Sequence, residues 1–167
     1  MHRNQPGLPL KGVDVAKAKA GLTRYSQSLA GTLLAAREAV MAPIRPILRE
    51  ANVTEQQWRV LRVLAEVDEL DASSIAKEAL LYAPTVTRIL RELTERQWVV
   101  RSIDPNDGRR SVISISDEGR KLVEGTAVYT VPMLSAYAEA FGEKRLRDFI
   151  AEARELAKAL ERFSPDR

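Results

Sequence analysis

Residues 84–116 read PTVTRILRELTERQWVVRSIDPNDGRRSVISIS, and the change of period inside this stretch decides the fold. In its first half Val86, Ile89, Leu90 and Leu93 recur at the i, i+3, i+4, i+7 spacing of a helix with one face in a core. Pro84 stands at a first-turn position, where a missing N–H is tolerated, and the helix is expected to run to about Arg96. In the second half Trp98–Ile103 and Ser111–Ser116 are strand-like. Asp104–Arg110 between them, DPNDGRR, reads as a seven-residue hairpin connection.

Two helix starts precede this stretch. Thr54 is an N-cap with Gln57 at the capping-box position, and Val53 and Trp58 are spaced as a hydrophobic staple, for a helix reaching about Val67. Asp71 repeats the logic, with Leu70 and Ile75 as staple, for a short helix ending near Leu81. Residues 54–96 therefore read as helix, short helix, tight turn, helix. With the hairpin behind them they make a winged helix-turn-helix, in which the helix after the turn enters the major groove.

Helices flank this unit. From Tyr25 to Leu48, Leu29, Leu33, Leu34, Val40, Met41, Ile44 and Leu48 recur at helical spacing, with Pro43 and Pro46 predicting a kink or an early end. Ser116, followed by Asp117 and Glu118, caps a long helix towards Phe141, with a bend expected at Pro132. A last amphipathic helix runs from about Glu143 to Phe163. The expected fold is mainly α with a small β-hairpin wing. Residues 1–22 are a flexible arm, 51–116 the DNA-binding winged helix-turn-helix, and 23–50 and 117–167 dimerisation helices. The flanking helices are too long and apolar for one small winged domain to bury, so a second copy of the chain is the natural cover.

Composition narrows the function classes. Apolar residues make up 45% of the 167, enough for a core. A formal charge of +3 permits an anionic partner without requiring one. The absence of cysteine excludes disulfides, thiol redox sensing and thiolate chemistry. The single histidine, His2, lies in the expected arm, which leaves no triad, imidazole base or His-rich metal site. No constellation of acid, base and nucleophile is visible, so neither an enzyme nor a cofactor is expected. No apolar run approaches the roughly 20 residues of a membrane span and the start carries no signal-like segment, so the expected compartment is the cytoplasm, with no membrane partner.

With one face of the 84–96 helix turned inward, Thr85, Thr87, Arg88, Arg91 and Glu92 face outward. Arginine can bind guanine in a bidentate manner and threonine can donate or accept, so this face either reads DNA or is an ordinary solvated surface. Ala83, the expected N-cap, has no side-chain acceptor, leaving the first N–H groups to a DNA phosphate, to Thr85 or to water. The hairpin tip offers Asp107, Arg109 and Arg110. Beside a recognition helix such a tip can reach the adjacent minor groove, whose negative potential favours arginine; the other reading is a plain turn with solvated charges.

NVTEQQWRVLRVLAE (52–66) and SSIAKEALLYAPTVTRILRELTERQWVVRSIDPNDGRRSVISISDEG (73–119), with the flanking helices, closely resemble the MarR family of bacterial winged-helix regulators over roughly residues 25–163. The family's acidic-x-Arg signature matches Asp107-Gly108-Arg109. Its Thr-x-x-Gly element matches Ser116-Asp117-Glu118-Gly119, with serine keeping the cap. The resemblance implies that Arg109 enters the minor groove with Asp107 orienting it, that Thr85, Thr87 and Arg88 read the major groove, and that the first and last helices interlock with a second subunit. The implied partners are a homodimer and a palindrome in double-stranded DNA.

LLAAREAVMAPIRPIL (33–48), running into the 52–66 segment, is similar to regulators of homoprotocatechuate (4-hydroxyphenylacetate) degradation operons in that family, which implies a repressor released by an aromatic carboxylic acid such as homoprotocatechuate. Arg37, Met41 and Arg45 are spaced i, i+4, i+8, two guanidiniums around a soft apolar side chain, and Trp58 and Arg62 are spaced i, i+4. An arginine clamp with an indole wall suits a small aromatic acid. Against this, Trp58 also fits as a core staple, and Arg37 or Arg45 could pair with Glu38, Glu50 or an acid of the partner. The rival functions are a winged-helix interaction module that no longer binds DNA and a MarR-type regulator answering to a different ligand.

Overall fold

The computed structural model describes residues 23–104 and 107–163. The expected arm at residues 1–22 and the side chains of Asp107, Arg109 and Arg110 lie outside the described residues. The chain divides into two compact units between Ala42 and Pro43.

In the first unit a 3₁₀ turn, Tyr25–Gln27, leads into α1 (Leu29–Met41). Ser28 joins them: its Oγ accepts the Gly31 N–H at 3.1 Å and donates to the Tyr25 carbonyl at 2.7 Å. Gly31 is buried against the turn, where a Cβ would collide with that same carbonyl. Leu29, Leu33, Leu34 and Val40 of α1 are exposed.

The second unit contains α2 (Ile44–Glu50), α3 (Glu55–Ala65), β1 (Leu70–Asp71), α4 (Ala72–Glu78), α5 (Ala83–Glu95), β2 (Val99–Asp104), β3 (Asp107–Ile115), α6 (Asp117–Phe141) and α7 (Glu143–Glu161). The helix expected over 25–48 is thus two helices. Pro43 has no N–H to continue the ladder, whereas Pro46 falls in the first turn of α2, where the N–H has no helical acceptor anyway. α6 continues through Pro132.

The three expected side-chain caps form. Thr54 and Gln57 make the full capping box, with Thr54 Oγ1 accepting from Gln57 N–H at 3.2 Å and Gln57 Oε1 from Thr54 N–H at 2.9 Å. Asp71 accepts from Ser74 N–H at 2.9 Å, and Ser116 from Gly119 N–H at 3.1 Å. α2, α4 and α5 each end in a left-handed residue that is not glycine: Asn52, Leu80 and Gln97. Behind each, the next N–H returns five residues: Val53 to the Leu48 carbonyl, Leu81 to Ala76 and Trp98 to Leu93, each at 2.9 Å. These are Schellman turns, which consume carbonyls the helix ends would leave unpaired. The turn at Leu80 closes α4 at Glu78, a little short of the expected limit near Leu81, and α3 ends at Ala65 rather than about Val67.

The sheet has three strands in the order β1-β3-β2, all antiparallel, where a two-stranded hairpin was expected. Leu70 pairs with Ile113 and Asp71 with Val112. The hairpin connection is also shorter than seven residues. Ile103 pairs with Ser111 and Asp104 with Asp107, so pairing reaches into the charged segment, and Gly108, Arg109 and Arg110 form a bulge on β3 between those two pairs. Backbone N–H and C=O groups carry a ladder whatever the polarity of the side chains.

α3 is the hub of this unit, packed on α2, α4, α5, α6 and β3. Leu48, Val60, Leu61, Leu64, Ile75, Val86, Ile89 and Leu93 form its fully buried centre. The sheet is tied to α6 at one close approach: Ser116 N–H donates to the Trp98 carbonyl at 3.1 Å, and a Cβ on Gly119 would strike that carbonyl. This is the physical reason for glycine three residues after the cap. Gly119→Ala is expected to destabilise the protein by about 1–3 kcal/mol, as overpacking against unyielding backbone does, read as a lower urea midpoint with an unchanged slope.

Candidate functional site

α5 turns Val86, Ile89 and Leu93 fully inward. Leu90, expected with them, is half-buried and lines a groove on the other side, and Thr85, expected outward, is half-buried and outside that groove. The helix starts one residue earlier than expected. Tyr82, with ψ of 139°, is the N-cap in place of Ala83, and no side chain caps the helix. Thr87 is exposed and its hydroxyl donates to the Ala83 carbonyl at 3.1 Å.

The groove, of about 660 Å³, separates α5 from the sheet. Thr87, Arg88, Arg91 and Thr94 line it from the helix, Arg101 and Ser111 from β2 and β3. Arg88 Nη1 is held by Glu92 Oε1 at 2.7 Å, one helical turn on. Arg91 is looser, 3.9 Å from Glu95 with both side chains largely exposed. Arg101 Nε donates to Ser111 Oγ at 2.6 Å, a neutral partner that leaves its charge uncompensated there. Arg101 and Thr94 escaped the sequence reading. Only Val99 of β2 is buried, so the strand has no alternation from which the direction of Arg101 could be inferred. On the wing, the β3 bulge carries the backbone of Arg109 and Arg110, and a Cβ on Gly108 would meet nothing within 4 Å.

The turn between α4 and α5 is held from behind by Arg59, which donates to the Ala79 carbonyl at 3.0 Å. Tyr82, beside that turn, is 77% exposed.

Of the five candidate effector residues, Arg37 and Met41 lie on α1 in the first unit and Arg45, Trp58 and Arg62 in the second. The single face expected for Arg37, Met41 and Arg45 is interrupted at Pro43. Arg37 pairs with Glu38 at 2.8 Å, one of the acids anticipated for it, whereas Arg45 pairs with Glu55 at 3.3 Å. Trp58 and Arg62 do come together, the guanidinium carbon 5.5 Å from the indole centroid. Trp58 also has a structural role. Its Nε1–H donates at 3.1 Å to the buried Thr126 hydroxyl, tying α3 to α6. Among the described residues no group of three or more His, Cys, Asp or Glu is placed to hold a metal, and no helix is long and apolar enough to cross a membrane.

The MarR family model matches residues 53–111, from the cap of α3 to the wing. A transcriptional regulator of Neisseria gonorrhoeae, FarR, is 39% identical over 131 residues, covering 77% of this chain and 90% of FarR. The chain belongs to the MarR family. Its MarR relatives include the homoprotocatechuate degradative operon repressor of Escherichia coli, 44% identical over 96 residues, 57% of this chain and 64% of that repressor. Among solved MarR structures, that of NadR in complex with 4-hydroxyphenylacetate superposes with a TM-score of 0.73 at 36% identity, covering 82% of this chain and 97% of NadR. A MarR chain of this kind is a transcriptional regulator rather than an enzyme, and the winged helix-turn-helix expected from the sequence is its fold.

Proposed function

We propose that this regulator is a homodimeric, cytoplasmic repressor that binds a palindromic operator in double-stranded DNA and is released by a small aromatic carboxylic acid, controlling an aromatic-acid catabolic operon. The observation that carries the DNA reading is the groove in which Thr87, Arg88, Arg91 and Arg101 face away from the core of one compact unit. α5 enters the major groove, and the wing, with Asp107 orienting Arg109 and Arg110 beside it, reaches the adjacent minor groove. Residues 51–116 are the DNA-binding domain, with Thr85 at the edge of the reading face.

Residues 23–50 and 117–167 form the dimer. Leu29, Leu33 and Leu34 of α1, Val128, Val131 and Leu134 of α6 and Ile150 of α7 are exposed, more apolar surface than a stable monomer usually leaves in water. The effector reading draws on the aromatic acids named with two relatives, homoprotocatechuate and 4-hydroxyphenylacetate. Trp58 and Arg62 supply an indole face and a cation one turn apart. Arg37, Met41 and Arg45 are the other candidate contacts, and a carboxylate reaching Arg37 or Arg45 must compete with Glu38 or Glu55. The acid releases DNA by favouring a dimer in which the two α5 helices are mis-spaced.

The test is fluorescence anisotropy of the full-length chain on duplex DNA from upstream of its own gene, titrated with salt and with homoprotocatechuate and 4-hydroxyphenylacetate. Tight, salt-sensitive binding abolished by either acid is the expected result. Binding indifferent to both acids replaces the effector class, and no binding at any salt concentration replaces the repressor with an interaction module.

A further inference from the structure

Glu92 lies on the outward side of α5, yet only 30% of its side chain is exposed, because both its oxygens are engaged. Oε1 accepts from Arg88 Nη1 at 2.7 Å and Oε2 from Gln57 Nε2 at 2.9 Å. Gln57 is itself buried, 7% exposed, and its Oε1 accepts the Thr54 N–H. One chain of hydrogen bonds therefore runs from the N-cap of α3 through Gln57 and Glu92 to the guanidinium of Arg88. The neighbouring Arg91–Glu95 pair is an internal control: the same i, i+4 spacing, no second anchor on the acid, a separation of 3.9 Å and both side chains about 70% exposed. A single exposed pair leaves an arginine free to wander, whereas an acid clamped from both sides fixes one rotamer.

We infer that Gln57 and Glu92 are positioning residues for sequence recognition, holding Arg88 so that its remaining N–H groups are presented to a guanine edge before DNA arrives. Pre-ordering removes the rotamer cost that would otherwise oppose a bidentate contact. The Glu92 carboxylate also repels a phosphate that would take the same guanidinium indiscriminately. The Gln57 amide is suited to this double task because it carries an acceptor for the cap and a donor for the acid. This inference rests on the DNA-reading role of α5.

The experiment uses the full-length chain and a duplex that the wild type enriches from a random pool, with affinities measured for that duplex, its single-base variants and a scrambled duplex, alongside thermal melting. Arg88→Ala first identifies the base position concerned. Glu92→Gln is expected to reduce discrimination at that position by about tenfold while raising affinity for the scrambled duplex. Gln57→Glu, measured at about pH 8 to disfavour a proton shared between the two acids, keeps an acceptor for the Thr54 cap but has no donor for Glu92, and is expected to show the same loss of discrimination. The double variant Gln57→Glu/Glu92→Gln restores one donor and one acceptor in reverse and is expected to recover part of it.

Discrimination unchanged in both single variants overturns the inference. So does an equal loss on every duplex that tracks a lower melting temperature and is not rescued by the swap. If Arg88→Ala itself alters no base preference, or the wild type enriches no duplex, the DNA reading of α5 fails and takes this inference with it. Failure of the relay variants alone leaves that reading standing.

Discussion

Replacing Arg91 and Arg101 together by alanine is expected to weaken operator binding by about a thousandfold near 0.15 M salt and to flatten its salt dependence by between three and four units, roughly 0.9 per phosphate contact over four contacts in a two-fold dimer. The two arginines face each other across the groove from α5 and β2. Neither is tightly compensated: Arg91 stands 3.9 Å from Glu95, and Arg101 spends Nε on a neutral hydroxyl. Loosely held cations suit the uniform phosphate lattice, which rewards charge more than aim. The loss should therefore be the same on operator and on scrambled DNA. A loss confined to the operator would mean that these two side chains read bases. A salt slope equal to that of the wild type would mean that the groove does not face the phosphates.

The parts of this fold that were legible in the sequence are those fixed by neighbours along the chain. Thr54 with Gln57, Asp71 with Ser74 and Ser116 with Gly119 join residues three positions apart, and each of the expected caps forms. The period change between Leu93 and Val99 likewise separates α5 from β2 without reference to anything distant. β1 was hidden because two residues carry no period, and Leu70 and Asp71 already had a local explanation as staple and cap. Its existence depends on Val112 and Ile113, some forty residues on. The Schellman turns were hidden for another reason. Asn52, Leu80 and Gln97 are not glycine, and it is the returning hydrogen bonds that keep them left-handed.

The candidate site shows the same division. The outward placement of Thr87, Arg88 and Arg91 follows from helical geometry, and the structure puts all three on one groove. Helical geometry also puts Glu92 on the outward side, but its partner Gln57 lies thirty-five residues away and has a local explanation in the capping box. Arg101 joins the groove only through the pairing of β2 with β3. The spacing of Arg37, Met41 and Arg45 describes a single helix face only while the helix is continuous, and Pro43 ends that condition.

Leu61→Ala is expected to lower stability by about 2–5 kcal/mol, the transfer cost of the removed methyl groups plus the cavity left behind. Against a typical total of about 5–15 kcal/mol this is a large fraction, read as a fall in the urea midpoint at constant slope and fixed protein concentration. Leu61 is fully buried at the centre of α3, the helix on which α2, α4, α5, α6 and β3 all pack. On the same helix Gln57 reaches Glu92 of α5, Trp58 reaches Thr126 of α6, and Arg59 reaches the Ala79 carbonyl behind the turn into α5. These directional ties set where α3 stands, while Leu61 sets how much free energy holds it there. Operator affinity measured well below the lowered midpoint, where essentially every molecule is folded, should therefore stay within about twofold of the wild type, since folding and binding then draw on separable contacts. An affinity that falls along with stability under those conditions would mean that the packing of α3, and not its hydrogen bonds, determines how α5 is presented to DNA.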